Sequence, residues 1–121
     1  MQRLLSVPSA FAFAIAGTST ALAHAHLTKS LPAAGSTVNV APTDLTLWFN
    51  EDLEPEFCTV EIVDGAGARV YEGKAKVDAQ DRKILHVTPK PLRPGRYEVT
   101  WHVVSVDTHA TSGKFSCAVA P

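Results

Sequence analysis

The sequence predicts an all-β protein: a seven-stranded immunoglobulin-like β-sandwich of Greek-key type, exported behind an amino-terminal signal peptide. Three observations carry this expectation. From residue 45 onward apolar residues recur at every second position, the period of a half-buried strand. Clusters of turn formers, residues 32–36, 64–67 and 89–95, separate those runs. No segment beyond the leader carries a long apolar period of 3.6. About seven short strands in roughly 100 residues match a two-sheet sandwich.

The leader comes first. Met1-Gln2-Arg3 supplies a positive start, residues 4–17 are mostly apolar, and Ala21-Leu22-Ala23 is a small-residue cleavage pattern. A membrane anchor needs roughly 20 consecutive apolar residues, whereas Ser6, Pro8 and Ser9 interrupt this run and Gly17-Thr18-Ser19-Thr20 follows it. Residues 1–23 are therefore expected to be removed. The mature domain is then 24–121, beginning at His24 and inserting into no membrane itself.

Within that domain Leu45, Leu47 and Phe49 alternate with Thr46, Trp48 and Asn50, which predicts the first clear strand. Cys58 to Val63 continues the period of two, and residues 68–71 and 74–77 form short candidates on either side of Gly73. Leu85 and Val87 face one way and His86 the other. Tyr97, Val99, Trp101 and Val103 make the longest apolar face, opposite Glu98, Thr100 and His102, so this strand is expected to lie centrally. A last strand over 114–119 follows Gly113.

Eleven Lys and Arg against 12 Asp and Glu give a formal net charge of −1, which leaves no basic footprint for nucleic acid or an anionic membrane. Cys58 and Cys117 both fall on faces that read as core, and export would place them in an oxidising compartment, so a disulfide between them is the first expectation. Two buried free thiols or a thiolate metal pair are the alternatives, the metal pair the weaker. The acidic run Glu51, Asp52, Glu54 and Glu56 reads as a solvated loop, and His86 and His102 read as surface residues.

Two segments concentrate metal donors. Cleavage after Ala23 exposes His24-Ala25-His26, and Asp107-Thr108-His109 follows the predicted central strand. A free α-amino group, with an ordinary pKa of about 7.7 to 8.0, yields its proton to a bound cation near neutral pH. An amino-terminal His therefore chelates through amine and imidazole. Asp107 and His109 add a carboxylate and an imidazole, on one face if the segment is extended. Three nitrogens and an oxygen suit tetragonal copper(II). A rival mode uses the amine, two deprotonated amides and the His26 imidazole in a square plane; His26 is otherwise an accessory residue.

The stretches HAHLTKSLPAAGS, LTLWFNEDLEP and PLRPGRYEVTWHVVSVDTHATSGKFSC resemble the periplasmic CopC/PcoC copper-resistance proteins, in the same order and across essentially the whole mature chain. The resemblance implies a seven-stranded β-sandwich that binds copper(II) through an amino-terminal His and the Asp and His of a D-x-H motif, here His24, Asp107 and His109. It also implies a periplasmic location and, as partner, a CopD-like inner-membrane copper protein. One departure stands out. Some members carry a Met-rich loop for copper(I), but the single Met here is Met1, inside the leader.

Three function classes follow: a non-enzymatic copper(II) carrier or buffer in copper resistance, homeostasis or transport; an oxidative copper enzyme with a histidine brace, like the lytic monooxygenases; and a metal-free adhesion domain. The donor set and the resemblance favour the carrier.

Overall fold

The computed structural model describes residues 25–121, so the predicted signal peptide and His24 lie outside the described residues. Eight strands follow in order: β1 (Leu27–Leu31), β2 (Thr37–Val38), β3 (Leu45–Phe49), β4 (Thr59–Val63), β5 (Tyr71–Val77), β6 (Ile84–Pro89), β7 (Gly95–Val104) and β8 (Ala110–Val119). They form two four-stranded sheets, ordered β1-β3-β6-β5 and β2-β8-β7-β4. All pairings are antiparallel except β2 with β8. The single helical element among the described residues is a 3-10 turn, Pro55–Phe57, and no helix there is long and apolar enough to cross a membrane.

The core lies between the sheets because the alternating faces meet there. Leu45, Leu47, Phe49, Leu85 and Val87 come from one sheet and Val60, Ile62, Val99, Trp101 and Val103 from the other, all buried. Side chains of this size contribute about 1.5–3 kcal/mol each when withdrawn from water. Phe49 meets Trp101 edge to face, with centroids 5.1 Å apart, and so joins the two layers. β7 runs between β8 and β4, as its long apolar face predicts. Its Trp101 fits because its cross-strand neighbour is Gly113: a Cβ there would come within 2.5 Å of the indole.

The two-sheet sandwich is the expected one, its strands numbering eight when the two-residue β2 is counted; β1 is an edge strand on which Ser30 is the buried residue. Two details differ from expectation. Of the two segments flanking Gly73, 74–77 lies within β5 whereas 68–71 contributes only Tyr71 to it, Arg69 forming an isolated bridge with Val63; the pairing of β5 with β6 shifts register between Glu72 and Lys76, with Gly73 in the left-handed region at φ 65°. Such a bulge disrupts a ladder locally without ending the strand.

The expected Cys58–Cys117 disulfide is absent, and both thiols are free and buried. The register explains why. Cys117 is paired with Tyr97, whereas Thr59 is paired with His102, which puts Cys58 level with Val103 at the other end of β7. From Tyr97 to Val103 is about 20 Å at 3.3 Å per residue, and a disulfide needs Cα atoms within about 7 Å. Burial pushes both thiols up from their ordinary pKa, so neither offers a ready thiolate.

Candidate metal centre

β7 and β8 are joined by a tight reversal over Ser105–His109. The Ser105 N–H donates to the His109 carbonyl at 3.0 Å and the Thr108 N–H to the Ser105 carbonyl at 2.9 Å. Thr108 lies in the left-handed region at φ 71°, an uncommon conformation for a residue with a branched side chain. Its hydroxyl donates to the Asp107 carbonyl at 2.6 Å. This turn, and not an extended segment, brings Asp107 and His109 together: Oδ2 of Asp107 is 3.3 Å from Nδ1 of His109, both side chains partly exposed.

The acidic run supports the reversal through its backbone. Leu53 is fully buried and bridges Ser105, the Val106 N–H donates to the Asp52 carbonyl at 3.0 Å, and the Glu54 N–H donates to the Val104 carbonyl at 2.8 Å. The Ser105 hydroxyl donates to Oδ1 of Asp107. That bond is the main cause holding the Asp107 carboxyl below its ordinary value; burial opposes it, and His109 adds to it. The Asp107 carboxylate can act as an oxygen donor, and the Ser105 bond leaves Oδ2 on the side of His109.

The amino-terminal segment is fastened to the same end of the sandwich. Ala25 is fully buried, and its carbonyl accepts a 2.8 Å hydrogen bond from the hydroxyl of Thr111, which follows the hairpin on β8. The His26 N–H donates to Oδ1 of Asn50 at 2.6 Å, and the Asn50 N–H donates to the His26 carbonyl at 3.1 Å. The His26 residue is exposed. Sequence reasoning missed Asn50 and Thr111; neither lies in a donor motif, and their importance appears only once the strands are assembled.

Among the described residues no group of three or more His, Cys, Asp and Glu side chains is gathered to hold a metal. Asp107 and His109 offer two donors, a carboxylate oxygen and an imidazole nitrogen. Two such atoms 3.3 Å apart, each about 2.0 to 2.2 Å from one divalent ion, subtend roughly 100° at it. An angle of that size lets both atoms bind a single ion.

His86, expected to be merely solvated, is instead held on both ring nitrogens. Nδ1 lies 3.2 Å from Oδ2 of Asp44, and Nε2 lies 2.9 Å from Oδ1 of Asp78. Thr46 donates to the same Asp44 oxygen at 2.8 Å. The two carboxylates sit on opposite nitrogens of one ring, so the three groups do not converge on a point. His102 is exposed, as expected.

Residues 27–120 match the CopC domain family. The chain is 42% identical to Protein YobA of Escherichia coli K12 over 103 residues, covering 84% of this chain and 83% of that one. The crystal structure of CopC from Methylosinus trichosporium OB3b aligns with TM-score 0.76 and 31% identity over 81% of this chain and 95% of that one. PcoC from Escherichia coli, described as a methionine-rich copper resistance protein, aligns with TM-score 0.70 and 33% identity, over 80% and 99%.

Proposed function

The chain belongs to the CopC domain family, and we propose that it is a periplasmic carrier or buffer that binds one copper(II) ion through His24, Asp107 and His109. The observation that carries this reading is the pairing of Asp107 Oδ2 with His109 Nδ1 at 3.3 Å on a hairpin to which the amino-terminal segment is also fastened. Thr111 holds the Ala25 carbonyl at the corner where Asp107 and His109 meet. Cleavage after Ala23 would make His24 a chain end, adding an amine and an imidazole to the two donors on the hairpin.

Copper(II) is favoured over copper(I) by the donors. Imidazole, amine and carboxylate suit the divalent ion, whereas thioethers and thiolates suit the monovalent one. PcoC is described as methionine-rich; here the single Met is Met1 and the two thiols are buried at opposite ends of a strand. The square-planar alternative is disfavoured because it needs the His26 amide as a ligand, and that amide donates to Asn50 at 2.6 Å. Binding and hand-over, without catalysis, is the function a filled four-donor sphere serves. A CopD-like inner-membrane copper protein is the proposed recipient.

The test is a competition titration of the processed protein with copper(II). Asp107→Ala and His109→Ala should both weaken binding, and His26→Ala should leave it nearly unchanged. Loss confined to His26→Ala would replace the folded site with the terminal-peptide mode.

A further inference from the structure

We infer that Ser105 is a positioning residue for copper(II), acting through Asp107 and never touching the ion. The inference rests on the ligand reading proposed above. Ser105 is completely buried at the root of the hairpin and bridged to Leu53. Its hydroxyl faces two acceptors, Oδ1 of Asp107 and, at 3.3 Å, the carbonyl of His109. A hydroxyl has one proton, and an ionised carboxylate is the stronger acceptor, so the bond to Asp107 governs its orientation.

The effect on Asp107 is specific. The terminal torsion of an aspartate is broad and roughly two-fold, so on an exposed turn its two oxygens exchange places freely. Ser105 engages Oδ1 and leaves Oδ2 turned toward His109 Nδ1, 3.3 Å away. The carboxylate therefore presents one oxygen, in one orientation, to an ion shared with His109. Ordering it beforehand removes a cost that binding would otherwise carry. Because Ser105 also holds the His109 backbone through its own N–H at 3.0 Å, both donors are referred to the same buried residue.

The prediction separates positioning from simple structural support. Ser105→Ala deletes the hydroxyl with little change in volume; it should weaken copper(II) binding by about tenfold, the lower end of what outer-shell partners contribute. Ser105→Thr keeps the hydroxyl but adds a methyl to a filled site; it should lower the melting temperature of the metal-free protein while retaining affinity. In an Asp107→Ala background, Ser105→Ala should have no further effect on affinity, since residues that act as a unit are not additive. The copper(II) electron paramagnetic resonance spectrum of Ser105→Ala should move toward that of Asp107→Ala. If Asp107→Ala weakens binding and Ser105→Ala does not, or if the two losses add fully, the positioning role is wrong and the ligand reading stands. If Asp107→Ala itself leaves affinity unchanged, the ligand reading fails and the inference goes with it.

Discussion

On the β7–β8 hairpin a histidine and an aspartate turn toward each other across one gap, whereas on β6 a single histidine stands between two aspartates. Both are His-Asp associations at the surface of the same sandwich, with contacts of 3.3 Å in the first and 3.2 and 2.9 Å in the second. The difference lies in where the donors come from. Asp107 and His109 belong to one reversal, so the backbone that makes the turn also makes the donors converge. Asp44 precedes β3, His86 lies on β6 and Asp78 follows β5, so their contacts stitch three neighbouring segments across a sheet. Two donors on one turn can face a shared ion, whereas two carboxylates on opposite nitrogens of one ring cannot.

The largest contrast should appear in copper(II) affinity. His109→Ala is expected to lower it by more than the roughly hundredfold that loss of an outer-shell partner costs, and His86→Ala is expected to leave it at the wild-type value. Equal losses, read by competition titration, would erase the distinction between the two sites.

Stability should show the reverse order, on a smaller scale. His86→Ala removes both ends of the clasp and is expected to lower stability by a small but measurable amount, as loss of solvent-screened surface contacts does. Asp107→Asn should change the stability of the metal-free protein less. Urea denaturation of both variants without metal measures this, and a larger loss for Asp107→Asn would invert the assignment.

A smaller effect concerns pH. The Asp78 carboxyl is held below its ordinary value, chiefly by the hydrogen bond from His86 and further by the backbone N–H of Gln80. A carboxyl lowered in the folded state contributes stability that is complete above the unfolded value of about 3.9 and is lost as pH falls through the lowered one. Asp78→Asn should therefore flatten the acid limb of the stability curve below about pH 4. An unchanged acid limb would mean that the clasp contributes nothing there.

The sandwich was readable wherever one face of a strand is buried and the other solvated. Tyr97, Val99, Trp101 and Val103 are buried in alternation on β7, and Leu45, Leu47 and Phe49 on β3. β1 was not readable in the same way, because an edge strand with Ser30 as its buried residue has no apolar rhythm. Cys58 and Cys117 show the limit of periodicity. Alternation reports which face a side chain takes but not its level along the sheet, and level decides whether two thiols can meet.

The candidate donors were legible from chemistry, since a D-x-H triplet and a His at a cleavage junction are unusual together. The reason Asp107 and His109 meet was not, because it depends on Thr108 at φ 71° and on Ser105 beneath the turn. Asn50 and Thr111, which fasten the amino-terminal segment, are distant in sequence from the residues they hold. The partners of His86 were hidden for the same reason, Asp44 being 42 positions away.

The central claim is that signal processing creates the metal site by freeing the nitrogen of His24. Copper(II) titration of a chain beginning at His24, beside one carrying a single additional residue ahead of it, tests this most directly. The first should bind one copper(II) ion tightly and the second should not. Undiminished affinity in the extended chain would contradict that claim.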